Sequence, residues 1–242
     1  MTRNEKYELA RWAIRYALDE GADQASVAIY NNSSSRVEVR EQQIDRLEKA
    51  NRNNMRIQLY VDKKYSSHTT NRLTHKEELG KFIEEAIAGT RYLSEDEFRT
   101  LPDPDLYYKG GGPDLKTVDG NFDSVDPQQK IDHAFHTEKE VLGKDERIIS
   151  VTATYSDGKN DTVMLTSNGF EGDTGNTNCS LVASVSVKSG DARPQSYWYE
   201  SDIFHHRLNR EGIGRKALER ALQKIGQQKI ASGAMPMIVE NR

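Results

Sequence analysis

The chain has 242 residues, 35% of them hydrophobic and 30% charged, a polar balance that suits one large domain or two small ones and, with its periodic apolar clusters, excludes disorder. A formal net charge of -4 and a pI of about 5.9, with no Lys/Arg run longer than a pair, give no support to direct DNA binding. One cysteine, Cys179, excludes a disulfide framework and a Cys-rich zinc site.

The opening MTRNEKYELARWAIRY carries charges throughout and does not read as a signal peptide, and no stretch approaches transmembrane length. A cytoplasmic protein without membrane association is expected. Leu9, Ala10, Ala13, Ile14 and Ala17 share one face of a helix predicted from Asn4 to Glu20, and Gly21 stops it. Strands are predicted at Ser26 to Tyr30, at Arg36 to Arg40 with the alternation resuming at Ile44 and Leu47, at Met55 to Val61, and, after an Asp62-Lys63-Lys64 turn, at Tyr65 to Thr70. Thr74 opens a second helix with Glu77 three residues on, in capping-box spacing, and Leu79, Phe82, Ile83, Ala86 and Ile87 form its stripe.

Pro102, Pro104, Gly110 to Gly112, Pro113 and Gly120 mark a linker or crossing segment, and Tyr107-Tyr108 suggests that part of it packs on a neighbour. Asp126-Pro127 then starts a helix that Gly143 ends. A strand from Ile148 to Tyr155, a hairpin turn at Ser156-Asp157-Gly158-Lys159 and a return strand from Thr162 to Thr166 follow. Beyond a glycine-rich loop from Ser167 to Asn176 come strands at Ser180 to Val187 and Gln195 to Glu200, and a helix from Glu211 to Ile225.

Each half thus reads helix, four strands, helix. The expected class is α+β, with two domains, each an antiparallel sheet of about four strands with flanking helices. The boundaries are residues 1–100, a crossing segment at 101–125, residues 126–230, and residues 231–242 as the start of a truncated further domain. Met237-Ile238-Val239 reads as a strand just beginning, which points to a fragment.

Candidate chemistry is sparse. His133 and His136 share a helix face at metal-compatible spacing but lie at the edge of the apolar stripe, and read as boundary residues. His205-His206 read as loop packing or capping, and His68 and His75 are isolated. Cys179 reads as a small buried hydrophobe. The 167–176 loop lacks a phosphate-binding pattern. Tyr197-Trp198-Tyr199 could stack bases, but reads more simply as a strand whose alternate rings face the core and a partner.

The run from Asn54 to Asn71, with Arg56 inside an apolar strand and Thr70-Asn71 closing a short polar one, resembles the N-terminal domain of the TldD/PmbA family, zinc-peptidase subunits also called modulators of DNA gyrase. Gly21-Ala22-Asp23-Gln24-Ala25 resembles the family's G-A-D-x-A entry, and Ser167 to Gly172 and Met235 to Val239 resemble its central domain and the entry to its C-terminal domain. The resemblance implies that TldD-type subunits carry H-E-x-x-x-H in the C-terminal domain, where zinc is held and the Glu acts as general base. PmbA-type subunits lack the motif and pair with the TldD type around a chamber that degrades unfolded peptides. This chain ends before the motif's position, so no catalytic, cofactor-binding or metal residue carries over, and no cofactor is expected in it; the resemblance implies zinc in the TldD-type partner or in the full-length catalytic subunit. Ile238 to Arg242 resemble the PmbA branch. The expectation is a PmbA-like subunit fragment, inactive alone; the alternatives are the N-terminal part of a catalytic TldD-type peptidase and a stand-alone protein-binding module.

Overall fold

The structure, a computed structural model, describes residues 1–239; Glu240, Asn241 and Arg242, part of the segment read as PmbA-like, lie outside the described residues. Helix α1 (Arg3–Asp19) starts in a capping box: the Thr2 hydroxyl accepts the Glu5 N–H, and the Glu5 carboxylate accepts the Thr2 N–H at 2.7 Å. Its buried stripe is the predicted one with Lys6 added, and Gly21, at φ 97°, turns the chain.

Three strands follow rather than four: β1 (Gln24–Arg40), β2 (Gln43–Val61) and β3 (Lys64–Thr70). The two predicted segments Ser26 to Tyr30 and Arg36 to Arg40 are the ends of one strand. Its turn into β2 places Glu41 and Gln42 at positive φ, and Asp62-Lys63 does the same before β3, so both hairpins form without the glycine that usually marks them. Helix α2 (Lys76–Thr90) is preceded by His75, whose side chain makes no capping bond; the capping box expected at Thr74 is absent.

In the second half, α3 (Pro127–Lys139) is capped by the Asp126 carboxylate, which accepts the Gln128 N–H at 2.9 Å. Then come β4 (Ile148–Thr166), β5 (Glu171–Val187), β6 (Gln195–Asp202) and α4 (Ile213–Leu222). The expected hairpin at Ser156 to Lys159 is the middle of β4. Asp157 stands opposite Ser35 on one side and Cys179 on the other, so ladders on both flanks hold extended a stretch whose composition favours a turn. Most of the expected 167–176 loop is likewise strand; only the turn between β4 and β5 remains. Residues 231–239 carry no helix or strand, so the strand expected at Met237 does not begin there.

The two separate sheets of the sequence reading do not exist. One six-stranded antiparallel sheet runs β3-β2-β1-β4-β5-β6, joined at its centre by β1 and β4 from Ser26 opposite Thr166 to Arg40 opposite Thr152. Two cores share one face of this sheet, because side chains alternate along a strand and the core residues Ala25, Val27, Ile29, Val37 and Val39 of β1 all project the same way. Helices α1 and α2 cover the first core, α3 and α4 the second. Each half lends strand ends to the other's core: Val163 and Leu165 pack under α1 and α2, while Val37 and Val39 pack under α3 and α4. Ion pairs repeat the exchange. Arg11 grips Glu171, Arg3 and Tyr7 reach Asp173, and the buried Lys6 meets Asp161.

The crossing segment is ordered against the sheet. Arg99 lies 4.4 Å from the Tyr65 ring centroid on the face opposite the helices, Leu101 is buried, and the Tyr107 hydroxyl donates to Asn168 at 2.8 Å. Further on, the Thr177 N–H donates to the Thr117 carbonyl and the Asp119 N–H to the Thr177 hydroxyl, which covers the edge of β5 beyond the end of β6.

Candidate functional site

Polar side chains concentrate where α3 crosses the middle of β1 and β4. Lys130 extends from the first half of α3 to Asp157, with Nζ and carboxylate 2.5 Å apart and side-chain exposures of 12% and 3%. The Ser35 hydroxyl donates to the same carboxylate at 2.5 Å and the Tyr155 hydroxyl at 3.1 Å, so the buried anion has three donors. Two turns of α3 later, the Glu138 carboxylate, fully buried, accepts the backbone and side-chain N–H groups of Gln42. These contacts tie the β1–β2 hairpin to α3.

Next to this network, the His133 and His205 rings lie 5.5 Å apart, each about 6 Å from the Tyr155 ring. Burial first, and then the Arg210 cation, holds His133 down to about 4 and lowers His205 from its ordinary value. Both are therefore neutral at pH 7. Burial pushes the Tyr155 hydroxyl above its ordinary value and the Cys179 thiol up to about 11. Cys179 donates to the Asp202 carbonyl at 3.3 Å and stays a thiol, which is poor nucleophile chemistry and the behaviour expected of a small buried hydrophobe.

His133 and His136 do not converge. His136 points instead to Glu211 at 3.2 Å and Glu140 at 4.0 Å, and among the described residues these three bring ligand atoms within 4.8 Å of one another. Glu140 accepts the Gly212 N–H at 2.5 Å on one oxygen and the Gly214 N–H at 2.7 Å on the other, so this carboxylate caps α4. Gly214 is needed there, since a Cβ would sit 2.5 Å from the Thr137 carbonyl.

His205 and His206 part as adjacent residues do: His205 joins the His133 cluster and His206 lies against Phe204. His68 bonds Ser66 and meets Phe82 edge-on. Arg56 stacks over Tyr30 at 5.7 Å on the sheet face opposite the helices. Sequence reasoning missed Lys130, Asp157, Ser35, Glu138 and Glu140. The available signal was a lysine one residue before the apolar Ile131 on a helix and an acid amid long strands, and it becomes readable only once the strands are aligned.

The outer edge of β2 is bare over half its length. Strand β3 pairs with it only from Met55 to Val61, leaving 43–54 with β1 on one side alone. Where β3 stops, the Asn53 and Asn54 side-chain carbonyls are buried without a hydrogen-bond partner. A cavity of about 310 Å³ opens beside this edge, lined by Ser35, Val37, Leu47, Phe122, Val125 and Lys130 among others. A free strand edge beside an apolar cavity can take an extended chain by main-chain pairing and seat a side chain next to Leu47.

Residues 120–225 match the family model described as PmbA/TldA metallopeptidase central domain, and residues 25–89 match PmbA/TldA metallopeptidase domain 1. No curated protein matches the chain. Among solved structures, a protein of Bacteroides thetaiotaomicron described as a modulator of DNA gyrase is 48% identical, with a TM-score of 0.91 over 96% of this chain and 53% of its own. One from Thermotoga maritima with a like description is 20% identical, with a TM-score of 0.71 over 94% of this chain and 50% of its own. TldE from Thermococcus kodakarensis is 17% identical, with a TM-score of 0.71 over 88% and 47%. The last two show the fold alone. The chain spans about half the length of these structures.

Proposed function

Because the chain belongs to the PmbA/TldD metallopeptidase family, we propose that it is the N-terminal and central part of a PmbA-like, noncatalytic subunit of a peptidase complex that handles unfolded peptides in the cytoplasm. The observation that carries this reading is the bare edge of β2 from residue 43 to 54, with two unpartnered Asn carbonyls and an apolar cavity beside it. Strand addition reads main chain rather than sequence, which suits a handler of unfolded segments. Amide hydrolysis needs an activated nucleophile. Here the one thiol is buried and held protonated, and in the one His/carboxylate group found among the described residues Glu140 serves as a helix cap. A TldD-type partner would supply zinc and the activated water, while this chain's residues would bind and orient peptide. The acidic net charge favours no direct role on DNA.

The test is cleavage of a disordered peptide by the full-length protein, with and without a TldD-type zinc-bearing subunit. Cleavage only in the mixture is expected. Chelator-sensitive cleavage by the protein alone would move it to the catalytic branch of the family.

A further inference from the structure

The opposite edge of the sheet has a different character. Strand β6 closes the sheet, so its outer side has no strand beside it. Between this side and α4 lies a cleft of about 760 Å³, lined by Trp198, Lys216, Glu219, Arg220 and Lys224 among others. Lys216 and Arg220 lie four residues apart and so share one face of α4, and Lys224 follows in the turn just past its end. Lys216 Nζ sits 3.7 Å from the Trp198 ring centroid and the Arg220 guanidinium carbon 5.0 Å from it. Stacking of this kind fixes cations in place without neutralising them. Lys224 donates to the Gln195 carbonyl at 2.7 Å.

Glu219 is the one carboxylate of the lining and accepts from Gln223; Glu200, nearby on β6, accepts the Trp198 indole N–H at 3.0 Å. The cleft is therefore cationic within a chain that is acidic overall. Tyr197 projects to the other face, 61% exposed and stacked on Tyr199 with centroids 6.5 Å apart.

We propose that the β6–α4 cleft docks an extended acidic peptide segment, which pairs its main chain with the free side of β6 and lays its carboxylates against Lys216 and Arg220. Charge complementarity selects the occupant: a basic segment would face three cations, and a neutral one would leave them with Glu219 as the lining's single carboxylate. The site uses the edge opposite to the one invoked for peptide handling and requires no hydrolysis, so it stands or falls separately.

Fluorescence anisotropy with a labelled peptide of alternating Glu and Val tests it. Binding should weaken with salt and drop by about tenfold or more for a Lys/Val peptide and for the Lys216→Glu/Arg220→Glu protein. Those two side chains also stack on Trp198, so the reversed protein could fold poorly; a fully N-methylated Glu/Val peptide, measured on the unaltered protein, should lose binding because it cannot donate to β6. Equal binding of acidic and basic peptides overturns the proposal, as does full binding of the N-methylated peptide or no binding of the Glu/Val peptide.

Discussion

The two cores on the helix-covered face bury different things. The one under α1 and α2 is aliphatic at its centre, with Val27, Ile29, Met55, Ile57, Leu59, Leu79 and Ile83 at or near zero exposure. The one under α3 and α4 encloses the Lys130–Asp157 pair, buried Glu138, and the His133, His205 and Tyr155 rings beside its aliphatic part. An aliphatic core asks only for volume and pattern, whereas a buried polar network fails if one partner is lost. The second core should therefore be the more sensitive to single polar substitutions and to pH, the buried Lys6 against Asp161 being the first core's one comparable pair among the described residues.

The largest effect is expected at Asp157→Ala. It strands the Lys130 ammonium and removes the acceptor of Ser35 and Tyr155, for a loss of about 3–5 kcal/mol in urea denaturation. A loss below about 1 kcal/mol would mean that water already screens the pair and that the contrast between the cores is superficial.

The exchanged strand ends offer a second way to break the comparison. Val163→Ala and Val37→Ala should each cost about 2 kcal/mol. Hydrogen exchange should show the damage across the sequence midpoint: Val163→Ala loosening α1, and Val37→Ala loosening α3. Faster exchange confined to the half that carries each substitution would make the cores independent units.

The third effect is the pH dependence. His133 titrates near 6.5 when unfolded and is held down to about 4 by burial and Arg210, so between these values the unfolded chain takes the proton and the folded one does not. The resulting stability is fully present above about pH 6.5 and is lost as pH falls toward 4, on the order of 1–3 kcal/mol. The lowered His205 acts in the same direction. Thermal unfolding from pH 7 to 4.5 should show a falling midpoint that His133→Asn flattens. Equal slopes for the two proteins would remove His133 from the account.

The helices and the apolar strand ends were legible because their signals are local. Leu9, Ala13 and Ala17 recur at helical spacing, Met55, Ile57, Leu59 and Val61 alternate, and Asp126-Pro127 announces a helix start. The polar middles were not. Asn31 to Ser35 and Ser156 to Asn160 have turn composition, and the predicted chain breaks there into eight short strands instead of six longer ones. The Lys130–Asp157–Ser35 network escaped with them, because its members are 27 and 122 residues apart and meet only when β1 lies beside β4.

By itself the sequence determined the α+β class, the four helices and most of their apolar stripes, the aliphatic strand ends, and the resemblance to the family that the chain proves to join, since each rests on short-range periodicity or on short runs of residues. Only the tertiary structure decided that the strands form one sheet, that each half completes the other's core, and that a lysine on α3 neutralises an aspartate in β4. Those outcomes depend on which strand edges meet, and backbone pairing across the β1–β4 seam holds even polar residues extended, whatever their local preference.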